Sequence, residues 1–181
     1  MPRKAFYETT KLDLQAKKVL DNGGIVYYSP KSEESSFHNS IRAQFSTDFW
    51  SVGTFGRQEG AMGQLIQKDH PVFKEFPNRE LIQNWQWWPM ANQRAVILPN
   101  TVKQPFDAII TEMDSYAFLR PMAQLFECRV GNGKLLYSTL GLQDLQQYPE
   151  GKALLRSIYK YLDLETFAPK QSIEWETLVS I

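Results

Sequence analysis

Apolar positions near the start of the chain predict a helix followed by a buried strand. Four of them recur at helical spacing, with Thr9 or Thr10 placed to cap the helix: Leu12, Ala16, Val19 and Leu20. Asn22-Gly23-Gly24 is typical of a helix end, because glycine adopts the left-handed conformation that stops a helix. The continuously apolar Ile25–Tyr28 then predicts a buried strand. This order of elements indicates an α/β unit with a parallel sheet.

Strict alternation of apolar and polar positions marks the second half of the chain. Residues 120–130 alternate, with Leu125 and Glu127 on the same side of the predicted strand. Gly131-Asn132-Gly133-Lys134 predicts a hairpin turn, because Asn and Gly tolerate positive φ angles. Leu135–Leu140 is then the return strand, and Pro149 begins a long helix.

These elements predict a three-layer α/β domain with a mostly parallel sheet and a C-terminal antiparallel hairpin. We assign residues 1–165 to this single domain and residues 166–181 to a C-terminal tail with a short amphipathic helix. Ser172 is expected to cap that helix, Ile173–Val179. The polar residues 31–47 predict a loop.

Composition narrows the classes of partner. The 181 residues contain 20 basic and 20 acidic side chains, so no overall field favours nucleic acid or an anionic membrane, and neither is an expected partner. No apolar run approaches the roughly 18 residues of a membrane span, and the N-terminus does not have the pattern of a signal peptide. Cys128 is the only cysteine, which excludes an internal disulfide and a CxxC site.

Tryptophan is concentrated at Trp85-Gln86-Trp87-Trp88, which holds three of the five tryptophans. Sugar rings stack on flat indoles, and neighbouring amides bond their hydroxyl groups. Four tryptophans are therefore the candidate carbohydrate-binding residues: Trp50, Trp85, Trp87 and Trp88. Two other interpretations stay open, since such a cluster also forms the centre of a core or an interface with another domain.

Residues suited to catalysis or metal binding lack the spacing that such sites require. His38 and His70 lie far apart without an acidic motif, and His70 precedes Pro71 as a turn residue does. Cys128 falls inside an alternating strand, where a structural role is expected. Two carboxylate pairs are close in sequence: Glu112 with Asp114, and Glu174 with Glu176. Nothing in the sequence brings them together, so no catalytic residue, metal or cofactor is predicted.

Three successive segments resemble the C-terminal part of bacterial glycoside hydrolase family 2 proteins, the β-galactosidase-like group: His70–Pro77, Asn84–Trp88 and Phe126–Leu140. The order of elements also resembles the class I glutamine-amidotransferase-like fold, which the trimerisation domain of some β-galactosidases shares. The resemblance covers roughly residues 10–165 and implies a flavodoxin-like, mostly parallel sheet. Such folds begin on a strand, so the first strands are expected to be absent or to come from elsewhere.

The resemblance implies an accessory role. The catalytic acids of family 2 lie in a barrel domain that this chain is too short to contain. The amidotransferase triad requires a cysteine on a sharp turn and a late histidine, which this sequence lacks. We therefore expect a non-catalytic domain of a glycoside hydrolase that serves interdomain packing, oligomerisation or sugar contact. Its partners would be the catalytic domains of the parent protein, another copy of itself, or carbohydrate.

Two alternatives to the accessory role remain. One is a stand-alone carbohydrate-binding module, and the other is a small hydrolase whose carboxylate site only the fold reveals. The cellular compartment stays open, and it would be the periplasm or the cell exterior if the parent is an exported bacterial glycosidase.

Overall fold

One mixed sheet of eight strands runs through the residues that the computed structural model describes, which are 5–44, 59–76, 78 and 85–181. The strands are β1 Tyr7–Thr9, β2 Ile25–Tyr28, β3 Ser40–Arg42, β4 Gly63–Ile66, β5 Arg94–Ile97, β6 Ile110–Met113, β7 Met122–Val130 and β8 Gly133–Ser138. The α-helices are α1 Leu14–Asp21, α2 Trp88–Ala91, α3 Pro149–Leu162 and α4 Trp175–Val179. Short 3-10 helices lie at Glu34–Ser36, Pro71–Phe73, Trp85–Trp87 and Leu142–Leu145.

The sheet is mostly antiparallel, which corrects the prediction of a mostly parallel one. β2 lies between β1 and β8 and is parallel to both, as the helix, glycine pair and strand predict. The other described pairs, β7–β8, β7–β5, β5–β3, β7–β6 and β6–β4, are antiparallel. Parallel neighbours need a long crossover, whereas the two-residue turn between β7 and β8 returns the chain antiparallel. The α/β class and the C-terminal hairpin are confirmed.

β7 is the centre of this sheet. Leu125 pairs with Ser138 of β8 and with Ile110 of β6, so β8 and β6 lie along opposite edges of β7. Ala123 pairs with β5 and with β6, so β5 follows β8 along the first edge. Farther along the second edge, Arg129 N donates to Gln171 O at 2.8 Å. That edge of β7 is therefore shared between β6 and the segment around Gln171.

The two largest clusters of buried side chains in the described residues cover the two faces of the sheet, and a smaller third cluster lies among β3, β5 and β7. The first lies under α3 and includes Leu125 of β7, Leu136 of β8 and Ile158 of α3. The second includes Phe126 of β7 together with Leu178 of α4 and residues of α1. Successive residues of β7 enter different clusters because strand side chains point alternately to opposite faces.

The beginning of the chain differs from its prediction in two ways. β1 precedes α1 and pairs in parallel with β2, so the sheet has a strand before its first helix. Asp13, rather than Thr9 or Thr10, caps α1, and its Oδ1 accepts hydrogen bonds from the backbone of Gln15 and Ala16 at 3.0 Å each. Thr9 does not cap the helix because it is part of β1. This strand was not predicted because three residues are too few to show periodicity.

The polar stretch 31–47 is a loop only in part. β3 occupies Ser40–Arg42 within it and pairs antiparallel with β5. An edge strand of three residues can be largely polar because only one of its side chains, Ile41, is buried. At the other end of the chain, Ile173, Leu178 and Ile181 of segment 166–181 are buried in the second cluster. None of the helices in the described part of the chain has the length and hydrophobicity of a bilayer span.

Candidate functional site

The predicted tryptophan surface separates into residues with different surroundings. Trp87 is fully buried, and its ring packs edge-to-face against Phe76 with 5.1 Å between the centroids and against Phe73 with 5.8 Å. Its indole N–H donates to Asn78 Oδ1 at 3.4 Å. Of the three interpretations left open by the sequence, the structure places Trp87 in the core.

The other candidate tryptophans do not join Trp87 in one surface. Trp88 is the first residue of α2 and is 52% exposed. Trp85 begins a 3-10 helix, and its side chain lies outside the described part of the structure, as does all of Trp50. Because Trp87 faces the core and Trp88 faces solvent, these two indoles do not form a shared platform.

A cleft opens instead where the second edge of β7 passes from β6 to the segment around Gln171. The Gln171 side chain bridges the gap: its Nε2 donates to Glu127 O at 3.0 Å and to Asp107 O at 2.9 Å. Its Oε1 accepts from Asp107 N at 3.0 Å. The cavity over this bridge, here called the β7 cleft, has a volume of about 330 Å³. It is lined by Gln67, His70, Pro71, Asp107, Ile109, Glu127, Tyr161, Thr166, Ala168, Lys170 and Gln171.

Glu127 lies at the centre of the polar groups in the β7 cleft. Its Oε2 accepts a hydrogen bond from the Tyr161 hydroxyl at 2.8 Å. The same oxygen is 3.8 Å from His70 Nε2, which is too long for a direct hydrogen bond. His70 Nδ1 accepts from Val72 N at 3.3 Å, so the neutral ring carries its proton on Nε2, facing Glu127.

Burial shifts both of these groups toward their neutral forms. It raises the pKa of Glu127 above its ordinary value; the Tyr161 hydrogen bond opposes this rise, and the negative charge of Asp107 adds to it. Burial lowers the pKa of His70, although Asp107 acts in the opposite direction. Since a buried histidine with a lowered pKa is neutral at pH 7, the His70–Glu127 contact is not an ion pair there. Titratable groups shifted by burial within a cleft are typical of functional sites.

The residues that the sequence singled out for chemistry lie elsewhere. Burial raises the pKa of the Cys128 thiol, so Cys128 is not an activated nucleophile. Glu112 is buried, whereas Asp114 pairs with Arg120 at 2.7 Å and serves a loop. Within the described residues, no group of three His, Cys, Asp or Glu side chains is arranged to hold a metal ion.

Sequence reasoning missed Asp107, Glu127 and Tyr161 as site residues, and it assigned His70 only to a turn. One signal was present, because Glu127 shares a strand face with Leu125 and therefore places a carboxyl group on a core-facing side. Nothing in the sequence pattern indicated that Asp107 and Tyr161, which lie 20 and 34 positions from Glu127, meet it in space.

The chain matches a known family model over almost its full length. A family model described as a domain of unknown function, DUF8487, matches residues 7–181. The chain belongs to the DUF8487 family. The match extends from β1 to the C-terminus, so the β7 cleft lies entirely within the DUF8487 domain. No match was found among curated proteins.

Proposed function

We propose that this DUF8487 domain is a non-catalytic accessory domain of a β-galactosidase-like glycoside hydrolase, and that it packs against the catalytic domain of that protein. The resembling segments support a structural role, because Phe73, Phe76 and Trp87 from them belong to one core cluster. The parallel β1–β2–β8 part of the sheet supports the likeness to glutamine-amidotransferase and flavodoxin folds.

The observation that carries the proposal is a loop that is closed by hydrogen bonds and has exposed apolar side chains, here called the Asp114 loop and comprising Asp114–Arg120. The Asp114 carboxylate holds both ends of this loop. It accepts from Ser115 N at 2.9 Å, from Arg120 N at 2.8 Å and from the Arg120 guanidinium at 2.7 and 3.0 Å. Burial alone would raise the pKa of Asp114, but the bonds from Arg120 and Ser115 lower it, so the carboxylate is charged.

The loop presents its apolar side chains to solvent. Leu119 is 75% exposed, Tyr116 57% and Phe118 50%. Leu119 also has a φ of 52°, in the left-handed region that side chains other than glycine rarely adopt. A bulky residue held there is strained by about 1–2 kcal/mol.

Such an arrangement is typical of a contact surface. Soluble monomers rarely expose large contiguous apolar patches, and strained backbone positions cluster at functional sites. A pre-organised loop also lowers the entropy lost when an interface forms. The Asp114 loop therefore supports interdomain packing more directly than Trp88 supports a stand-alone carbohydrate-binding module.

The β7 cleft favours the hydrolase alternative, because it brings Asp107 and Glu127 into one cavity. Glycoside cleavage uses two carboxyl groups across a cleft. Turnover of aryl glycosides by the isolated chain separates this alternative from the accessory role. We expect none, and turnover that Glu127→Gln abolishes would replace the accessory role with a hydrolase.

The packing role is tested by sedimentation velocity. The chain is mixed with the catalytic domain of the polypeptide that carries it, and Phe118→Ser and Leu119→Ser are compared with Leu164→Ser. Leu164 is a matched control because it is 42% exposed and lies after α3, near the turn end of the β7–β8 hairpin, whereas the Asp114 loop precedes the other end of β7. We expect a complex that both loop variants weaken and the control retains. Self-association through the same loop would assign it to oligomerisation, and equal binding by all variants would remove the loop from the interface.

A further inference from the structure

We propose that the β7 cleft binds a single neutral sugar ring through its hydroxyl groups. The cleft itself is independent of the proposed accessory role, whereas the choice of a sugar among polyols rests on that role. The inference moves the expected sugar contact from the tryptophans to the edge of β7.

The gap between His70 and Glu127 fits a ligand hydroxyl group. Their facing atoms are 3.8 Å apart, so they do not bond each other directly. His70 Nε2 carries the proton, because its Nδ1 accepts from Val72 N. A hydroxyl oxygen beside this gap would accept from His70 Nε2 and donate to Glu127, using both of its hydrogen-bonding capacities.

The remaining polar groups provide donors and acceptors of both kinds. Asp107 is at the exposed rim and accepts from Gln67 Nε2, which also donates to Ala108 O at 3.0 Å. Lys170 adds an ammonium donor to the lining, and the Tyr161 hydroxyl orients the Glu127 carboxyl group by donating a hydrogen bond to it. Hydroxyl groups suit such a mixed set, because each one donates and accepts.

Charged ligands fit this set less well. The two carboxylates, Asp107 and Glu127, oppose a phosphate or another anion. His70, Asp107 and Glu127 all line the cleft, but among the described residues no group of three such side chains is arranged to hold a metal ion. Lys170 partly offsets the attraction of the two carboxylates for an organic cation. A neutral polyhydroxylated ligand can use the donors and the acceptors of the cleft together, so it fits the set best.

The size and walls of the cleft favour one ring over a chain of sugars. Its volume of about 330 Å³ is near the lower end of the roughly 300–1,000 Å³ found for small-molecule sites. Pro71 and Ile109 add apolar surface to the lining, which suits the C–H face of a sugar ring.

The test is a nuclear magnetic resonance titration of the ¹⁵N-labelled chain with methyl β-galactoside, methyl β-glucoside and myo-inositol at millimolar concentrations. The side-chain amides of Gln67 and Gln171 report on the cleft, and the Trp88 indole N–H reports on α2. We expect saturable shifts of the glutamine amides with at least one glycoside and no shift of the Trp88 signal. Glu127→Gln should weaken binding about tenfold, which corresponds to about 1.4 kcal/mol.

Two variants control for structural damage. Glu127→Gln keeps the acceptor for the Tyr161 hydroxyl, and an unchanged melting temperature would show that it folds. Glu176→Gln makes the same chemical change at an exposed position on α4 and should bind like the original chain. Saturable binding of myo-inositol alone would keep the polyol site and overturn its link to glycosides. Shifts confined to Trp88, or no saturable shift with any of the three probes, would overturn the site itself and leave the packing test unaffected.

Discussion

Tyr161 and Glu127 join helix α3 to strand β7 through a hydrogen bond of 2.8 Å at the floor of the β7 cleft. The bond stabilises the charged form of a carboxyl group whose burial raises its pKa. The Tyr161 hydroxyl of α3 thus supplies a hydrogen-bond donor for a carboxyl group on the core-facing side of β7.

Removing that donor should raise the pKa of Glu127 further. In Tyr161→Phe the carboxylate loses its hydrogen bond but stays buried, and we expect the free energy of unfolding at pH 7 to fall by about 1–3 kcal/mol. The pKa of Glu127 is higher in the folded protein than in the unfolded chain. The stability lost through Tyr161→Phe should therefore be smallest below the unfolded-state pKa of Glu127 and should grow as the pH rises through its folded-state pKa. Carboxyl ¹³C titration and urea unfolding at several pH values measure both effects.

Tyr159→Phe is the matched control on the same helix. Tyr159 donates to Glu8 Oε1 at 2.7 Å, so its substitution removes a similar bond without touching Glu127. An equal shift of the Glu127 pKa in both variants would contradict a direct effect of Tyr161.

Glu112 should make the domain less stable as pH rises. Burial raises its pKa to about 8, and the hydrogen bond from Gly63 N at 3.1 Å opposes this only in part. The folded state binds the proton more tightly than the unfolded state, so stability should fall between about pH 4.5 and pH 8, by about 1.4 kcal/mol for each unit of pKa difference at most.

Glu112→Gln should remove that pH dependence and stabilise the domain above pH 8. The free energy of unfolding of Glu112→Gln and of the original chain is measured with urea at several pH values. His70 has a lowered pKa, so it makes the domain more stable as pH rises, but it does so equally in both proteins and cancels in the comparison. Parallel curves for the two proteins would show that Glu112 is already solvated in the folded state.

Trp87 and Trp88 should differ sharply in their contribution to stability. Trp87→Ala empties a fully buried site and should lower the free energy of unfolding by about 3–5 kcal/mol. Trp88→Ala removes a half-exposed ring, so a loss below about 1.5 kcal/mol is expected. Urea denaturation of both variants measures the difference, and similar losses would place both indoles in the core.

Gly133 should tolerate a methyl group much less than Gly131. A Cβ atom at Gly133 would lie 2.5 Å from Leu20 Cα and 2.6 Å from Leu20 O, so α1 would have to move away from β8. Gly131 has a φ of 56° but more space, with Asp21 Oδ1 at 3.7 Å. We expect Gly131→Ala to cost about 1 kcal/mol and Gly133→Ala considerably more, measured by thermal and urea unfolding.

The sequence by itself determined the local elements whose signals are local. Gly23-Gly24 and the apolar run after them predicted β2. The alternation of apolar and polar residues in 120–130, together with the turn that begins at Gly131, predicted the β7–β8 hairpin. Pro149 begins α3 as predicted, because proline fits the first turn of a helix. Cys128 and the tryptophans stand out in the sequence alone, but only the tertiary structure shows which of them are buried.

Tertiary structure decided strand direction and the composition of the site. Whether β6 and β4 run antiparallel to their neighbours depends on which edges meet, and no local pattern encodes that choice. The β7 cleft joins His70, Asp107, Glu127 and Tyr161 from four separate parts of the chain. Side-chain periodicity reports which way a residue points within its own element, whereas the cleft depends on how the elements pack; only the fold brings these four groups together.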